Sequence, residues 1–196
     1  MEQIIRGCKQ RQADCQKLLY QQQFSPMMNI CARYAGTRED AEEMLNNGFL
    51  KIFSNIDQYE GKGSFEGWMK RVMVNVCLDF LKSRSHRNNS KLVIMGGEDA
   101  LPEDIFDHTL YKQGVFSEND NEKKFNAQEL MNLLNLLPEQ TRMVFNLFVF
   151  ESYSHREIAQ ALDMAERTSQ WHLAVARKTL SEALLNKNYS KKIAGI

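Results

Sequence analysis

Between Ser83 and Asn126 the chain loses its hydrophobic period, and that gap constrains the fold more than any other feature of the sequence. Residues 83–124 hold SRSHRNNS, an isolated VIM, GGEDALPED and SENDNEKK, with no sustained helical period. An aperiodic piece of about 40 residues fits poorly inside one compact domain. The expectation is therefore an all-α chain of two small helical domains, residues 1–85 and 127–196, joined by a flexible linker over 86–126. With 196 residues, 43% of them hydrophobic, each half has enough apolar material for its own core.

In the first half, Glu2 to about Ala35 reads as two helices, with Leu18, Leu19, Tyr20 and Phe24 before a break at Pro26, and Met27, Met28, Ile30, Cys31 and Tyr34 after it. Gly36 stops the second, and Thr37 with Asp40 resembles a capping box that opens the next. There Ala41, Met44, Leu45, Gly48, Phe49, Ile52, Phe53 and Ile56 keep an unbroken helical spacing. The opposite face carries Glu39, Asp40, Glu42, Glu43, Asn46 and Asn47, which alone reads as a solvated face with acids near the positive end of the helix dipole. A Gly-rich loop, DQYEGKGSFEG, follows; its GKGS lacks the spacing of a phosphate-binding loop.

The stretch Trp68 to Lys82 inverts the usual surface helix. At about 100° per residue, Trp68, Arg71, Asn75, Asp79 and Lys82 share one narrow seam, while Met69, Val72, Met73, Val76, Cys77 and Phe80 cover much of the rest. Such a helix is packed on most sides and shows one strip. An indole stacks on flat rings, Arg and Lys neutralise phosphate, and Asn offers the donor and acceptor of a base edge, so the strip suits unpaired nucleic acid; the competing reading is a hydrogen-bonded core seam.

The second half begins near Asn126 with Leu130, Leu133, Leu134 and Leu137 in a helix ended by Pro138, which starts the next helix, running through Glu151 and burying Met143, Val144, Leu147 and Phe148. Ser154 with Glu157 is a capping box for a short helix bearing Ile158, Ala159 and Leu162. After Asp163-Met164-Ala165 comes a longer helix, about Glu166 to Leu184, with Leu173, Ala176 and Leu180 inward and Arg167, Gln170, Trp171, Ala174 and Lys178 outward. This is the pattern of a helix-turn-helix, whose outer face offers Gln for adenine and Arg and Lys for guanine or phosphate.

Charge is balanced overall but not locally: residues 1–85 carry 12 basic and 10 acidic groups, 86–126 carry 5 and 8, and 127–196 carry 8 and 7. A generic polycationic binder is excluded, and affinity for nucleic acid should lean on a partner's contacts. Cys8, Cys15, Cys31 and Cys77 lack metal-ligand spacing and read as reduced thiols of a cytoplasmic protein, with no metal or cofactor expected. Neither a signal-peptide core nor a membrane-length apolar run is present in the sequence given. Four scattered histidines and no catalytic carboxylate pair argue against an enzyme.

With these parts in order, the chain resembles the extracytoplasmic-function (ECF) group of bacterial sigma factors, the smallest of the sigma-70 family. The strings that carry the likeness are EDAEEMLNNGFLKIF, GSFEGWMKRVMVNVCLDFLK and LPEQTRMVFNLFVFESYSHREIAQALDMAERTSQWHLAVARKTL, within about residues 15–85 and 127–182. The resemblance implies an alternative sigma factor, with no catalysis of its own, that binds core RNA polymerase and directs promoter-specific initiation. Asp40, Glu43, Leu45, Asn46 and Phe49 would dock on the polymerase clamp helices. Tyr59, Lys62, Ser64, Phe65, Trp68, Arg71, Asn75, Asp79 and Lys82 would capture the opened non-template strand at the minus-10 element. Arg167, Thr168, Ser169, Gln170, Trp171, His172, Arg177 and Lys178 would read the minus-35 duplex, in a domain that also sits on the polymerase flap. The implied partners are polymerase, promoter DNA and an anti-sigma factor, with a monomer when free and no membrane insertion. Asn46 and Asn47 stand where the family often has Gln and an acid, Ala165 where Ser is common, Arg167 where Gly is frequent, and Gln170 where a basic residue is frequent. The alternative is a helix-turn-helix regulator without sigma activity, which gives no reason for the Trp68 seam.

Overall fold

The structure is a computed structural model that describes residues 1–87 and 127–194, with side chains to residue 84 and over 129–185. Residues 88–126, nearly all of the expected linker and its GGED string, lie outside the described residues. Among the described residues every regular element is helical, as expected. The chain divides into two compact units, Met1–Lys91 and Leu92–Ile196.

The first unit contains α1 (Glu2–Lys9), α2 (Ala13–Tyr34), α3 (Arg38–Asn55), a single 3-10 turn at Ile56–Gln58, and α4 (Phe65–Arg87). Helices α2, α3 and α4 pack on one another, and α1 lies against α2 and the 3-10 turn. Their shared core holds Leu19, Met27, Tyr34, Met44, Ile52, Met69 and Met73, all closed to solvent.

Two helices precede Gly36, but their boundary differs from the expected one. The break falls at Gln10–Gln12, where Arg11 takes a left-handed conformation and the Arg11 and Gln12 amides close back on the carbonyls of Cys8 and Gly7. Pro26 instead sits inside α2, on its exposed side. The carbonyl one turn earlier, on exposed Gln22, loses its helical donor there, and water can replace that donor at little cost. Leu18 and Phe24 of α2 are exposed, apolar as they are.

Helix α4 is also longer than its apolar pattern. It starts at Phe65, with Gly67 in its first turn, because the Ser64 hydroxyl accepts the Gly67 amide at 3.0 Å. It runs past Lys82 to Arg87, and the half-buried Arg84 near that end forms an ion pair with Asp40 at the start of α3. Thr37 caps α3 by accepting the Asp40 amide at 3.1 Å. The Asp40 carboxylate turns to Arg84 instead of completing the reciprocal bond of a capping box.

The second unit contains α5 (Ala127–Leu134), α6 (Glu139–Val149), α7 (His155–Leu162) and α8 (Glu166–Ala194). Helix α8 packs on α6 and α7, and Leu134, Val144, Phe145, Leu147, Ile158 and Ala176 form the core. Helices α5 and α6 end earlier than the leucine and phenylalanine spacing suggests, and Phe148 is only half-buried. Helix α8 continues well beyond Leu184. None of the four cysteines forms a disulfide. Burial, with Cys15 nearby, pushes the Cys8 thiol above its ordinary value and keeps it protonated.

Candidate nucleic-acid interface

The loop between the 3-10 turn and α4 is held from both ends. Gly61 and Gly63 both adopt positive φ, 81° and 80°, which a residue with a Cβ takes only under strain. The Tyr59 hydroxyl donates to the Gly63 carbonyl at 2.8 Å, closing the loop, and Lys9 Nζ of α1 donates to the Tyr59 carbonyl at 2.9 Å. The outcome is a three-ring group at the head of α4. Phe65 and Trp68 stack at 5.6 Å and 21°, and Tyr59 meets them at 5.0 and 5.9 Å. Phe65 is buried beneath, while Tyr59 and Trp68 keep part of their faces open.

Below Trp68 the seam expected from the sequence is present. Arg71 and Asn75 are exposed on a helix whose Met69, Met73, Val76 and Cys77 are buried. Asp79 is exposed too, but it pairs with Lys51 of α3 at 3.3 Å, so it braces the two helices. Lys82 is half-buried. Lys62 pairs with Glu60 at 2.7 Å in the exposed loop, and Ser64 is committed to the start of α4. Of the nine residues, the structure thus gathers Tyr59, Trp68, Arg71 and Asn75 into one open strip, with Phe65 buried beneath its head. Lys9 was not foreseen, because a lysine on a short amphipathic helix gives no hint of which carbonyl it meets.

The expected docking face of α3 needs correction. Leu45 and Phe49 are buried in the core, at 1% and 2% exposure, and Asp40 is engaged with Arg84. What α3 does present is Glu43, Asn46, Asn47 and Leu50, all exposed, with Leu50 at 66%. Leu50 is an apolar residue off the inner stripe, and that spacing was the signal that should have singled it out.

In the second unit, Ser154 and Glu157 form the complete capping box, and Asp163 closes α7 in a left-handed conformation, φ 53°. The short α7, this turn and α8 make the helix-turn-helix. Arg167, Gln170 and Lys178 are exposed on α8, with Thr168, Trp171 and Arg177 half-exposed. Ser169 and His172 face the other way. Ser169 is fully buried and bonds His155 Nδ1 at 2.9 Å; His172 is 6% exposed and bonds the Thr141 hydroxyl at 3.0 Å. Both belong to the inner stripe with Leu173 and Ala176, so neither can touch a base edge from this position.

Comparison with known proteins matches these parts. The family model for Sigma-70 region 2 matches residues 19–87, and the one for Sigma-70, region 4 matches residues 127–180. The chain is a sigma factor of the sigma-70 family. Its ECF membership follows the curated relatives. The ECF RNA polymerase sigma factor SigE of Mycolicibacterium smegmatis is 25% identical over 166 residues, 85% of this chain and 60% of the relative's length. The ECF RNA polymerase sigma-E factor of Haemophilus influenzae is 22% identical over 167 residues, 85% of this chain and 86% of the relative. The corresponding Escherichia coli factor is 25% identical over 157 residues, 78% of this chain and 77% of the relative. Among solved structures, the sigma factor RpoE in complex with the anti-sigma factor NepR from Bartonella quintana shares the fold at a TM-score of 0.50 and 16% identity, over 86% of this chain and 95% of that one. The regulator alternative fails on the region 2 match, which covers the seam it could not explain. No helix among the described residues of this sigma factor is long and apolar enough to cross a membrane.

Proposed function

We propose that this sigma factor binds core RNA polymerase, captures the non-template strand of the minus-10 element on α4 and its loop, and reads the minus-35 duplex with α8. The observation that carries this reading is the Tyr59–Phe65–Trp68 ring group set over the open Arg71 and Asn75 strip. A base turned out of the duplex costs a few kcal/mol. Stacking on Trp68, with Asn75 at a base edge and Arg71 at phosphate, offsets that cost only for unpaired bases. Opening thus becomes capture of bases that have already left the stack.

Polymerase docking falls to the face of α3 with Glu43, Asn46, Asn47 and Leu50, where one exposed leucine among acids and amides suits a basic helical partner with an apolar notch. Leu45 and Phe49 support that face from beneath. In the second unit, Arg167, Gln170, Trp171 and Lys178 reach the major groove, with Thr168 and Arg177 at its phosphate edge, and the same domain sits on the polymerase flap. The protein carries out no catalysis itself, acts in the cytoplasm beside polymerase, and is held in check by an anti-sigma factor; the complex of the Bartonella relative supports the last point. The test is a pull-down of core polymerase followed by run-off transcription over a promoter-containing genomic library. Stable binding with new, sequence-specific start sites is the expected result. Failure to bind polymerase, with tight binding to duplex DNA by the isolated chain, is the opposite one.

A further inference from the structure

The inner stripe of α8 is not uniformly apolar. Leu173, Ala176 and Leu180 pack without preferred direction, but the first two turns carry Ser169 and His172, buried and directional. Ser169 meets His155 at the start of α7 at 2.9 Å, and His172 meets Thr141 of α6, itself 2% exposed, at 3.0 Å. Each ring is also held by its neighbours. Phe148 of α6 stacks on His155 at 4.7 Å and 25°, with the Arg177 guanidinium 5.9 Å from the Phe148 ring centre, and Trp171 sets its edge toward His172 at 4.9 Å. The two bonded positions lie directly behind Gln170 and Trp171, the residues proposed to meet DNA.

We propose that these two imidazole–hydroxyl contacts set the rotation of α8 and hold it only while both rings are neutral, so that His155 and His172 are positioning residues for minus-35 reading and acidification undocks the helix. The DNA side of this statement rests on the function proposed above; the docking side does not.

The physical reason is that a neutral imidazole has one donor and one acceptor and can match a hydroxyl in either direction, whereas an imidazolium only donates and carries a charge into an apolar contact. Burial pushes His172 below its ordinary value; the charged residues on the helices packed around it are Glu129 of α5, Glu139 and Arg142 of α6, and Arg156 and Glu157 of α7, with Arg177 on α8 itself. Burial likewise lowers His155, with Glu166 opposing and Arg177 assisting. Because both folded values are depressed, the stabilisation is complete above the ordinary histidine value of about 6.5. It is lost as pH falls from there toward the folded values.

The test is hydrogen exchange of the full chain at about pH 7.5 and about pH 5.5, corrected for the intrinsic rate at each pH. Peptides from Glu166 to Leu180 are expected to lose about tenfold in protection at the lower pH, while α3 keeps its protection. The His172→Gln variant keeps a hydrogen-bonding side chain without the charge and is expected to remove the His172 share of the response, leaving that of His155. Equal loss in α3 and α8, no loss in α8, or a full response in His172→Gln overturns the proposal. The wild-type comparison stands alone should that variant fold poorly. A second readout is the fluorescence of Trp171 in a Trp68→Phe background, expected to be quenched as His172 charges; constant emission over that interval counts against the proposal. None of these measurements involves polymerase, so absence of transcription would overturn the sigma reading without touching the docking of α8.

Discussion

On the function proposed above, helices α4 and α8 carry the two DNA faces of this sigma factor, and they are held in opposite ways. Helix α4 is buried on most of its circumference by Met69, Met73, Val74, Cys77, Leu78 and Leu81, and it exposes a narrow strip that includes Arg71 and Asn75. Helix α8 opens a broad face and is held behind by a mixed stripe of two polar and three apolar residues. The difference follows the two tasks. A flipped base needs one rigid platform, which close packing supplies. A duplex needs a helix that projects into a groove, and such a helix has little circumference left for packing, so hydrogen bonds take over its orientation.

The largest predicted effect tests the packed side. The thioether end of Met73, closed to solvent, fills the space over Gly48, so a Cβ there would overlap it. Gly48→Val should destabilise the first unit by about 3 kcal/mol, seen in denaturant unfolding followed by Trp68 emission, with the second unit unmoved. Next is the platform itself. Trp68→Ala removes about 2 kcal/mol of base stacking, so open-complex formation should slow about thirtyfold while polymerase affinity holds; equal loss of both would dissolve the division between α3 and α4. Leu50→Ala should do the reverse, weakening polymerase binding by about 1 kcal/mol in a direct titration with no change in thermal unfolding, since the side chain touches little of its own unit. The smallest effect lies on α8. Ala165→Ser adds the missing N-cap and should stabilise the second unit by about 0.5 kcal/mol, read as a rise in its midpoint alone.

Much of this could be read from the residues in advance. The narrow seam of α4, the complete capping box at Ser154 and the turn at Asp163 all announced themselves, because each depends on neighbours in sequence. What escaped depends on partners far along the chain. Pro26 broke no helix because its side of α2 faces water, and α4 ran on to Arg87 with Arg84 answered by Asp40, 44 positions earlier. Ser169 and His172 lie inside, although the resemblance counts them among the DNA contacts, and their spacing from Leu173 and Ala176 already places them there. Leu50 was overlooked for the converse reason, an apolar residue at an outward spacing. In both cases position outweighed polarity.

The ion pair between Asp40 and Arg84 has one more consequence. It joins the first turn of α3 to the last turns of α4, and Lys51 with Asp79 joins them again midway. On the function proposed above, polymerase and melted strand then grip two sides of a single braced frame. On the function proposed here, the number of nucleotides between the captured base and the first one transcribed is set by the spacing of α3 and α4. Start-site register should then be indifferent to insertions in residues 88–126, and should drift when the frame is cut at Arg84.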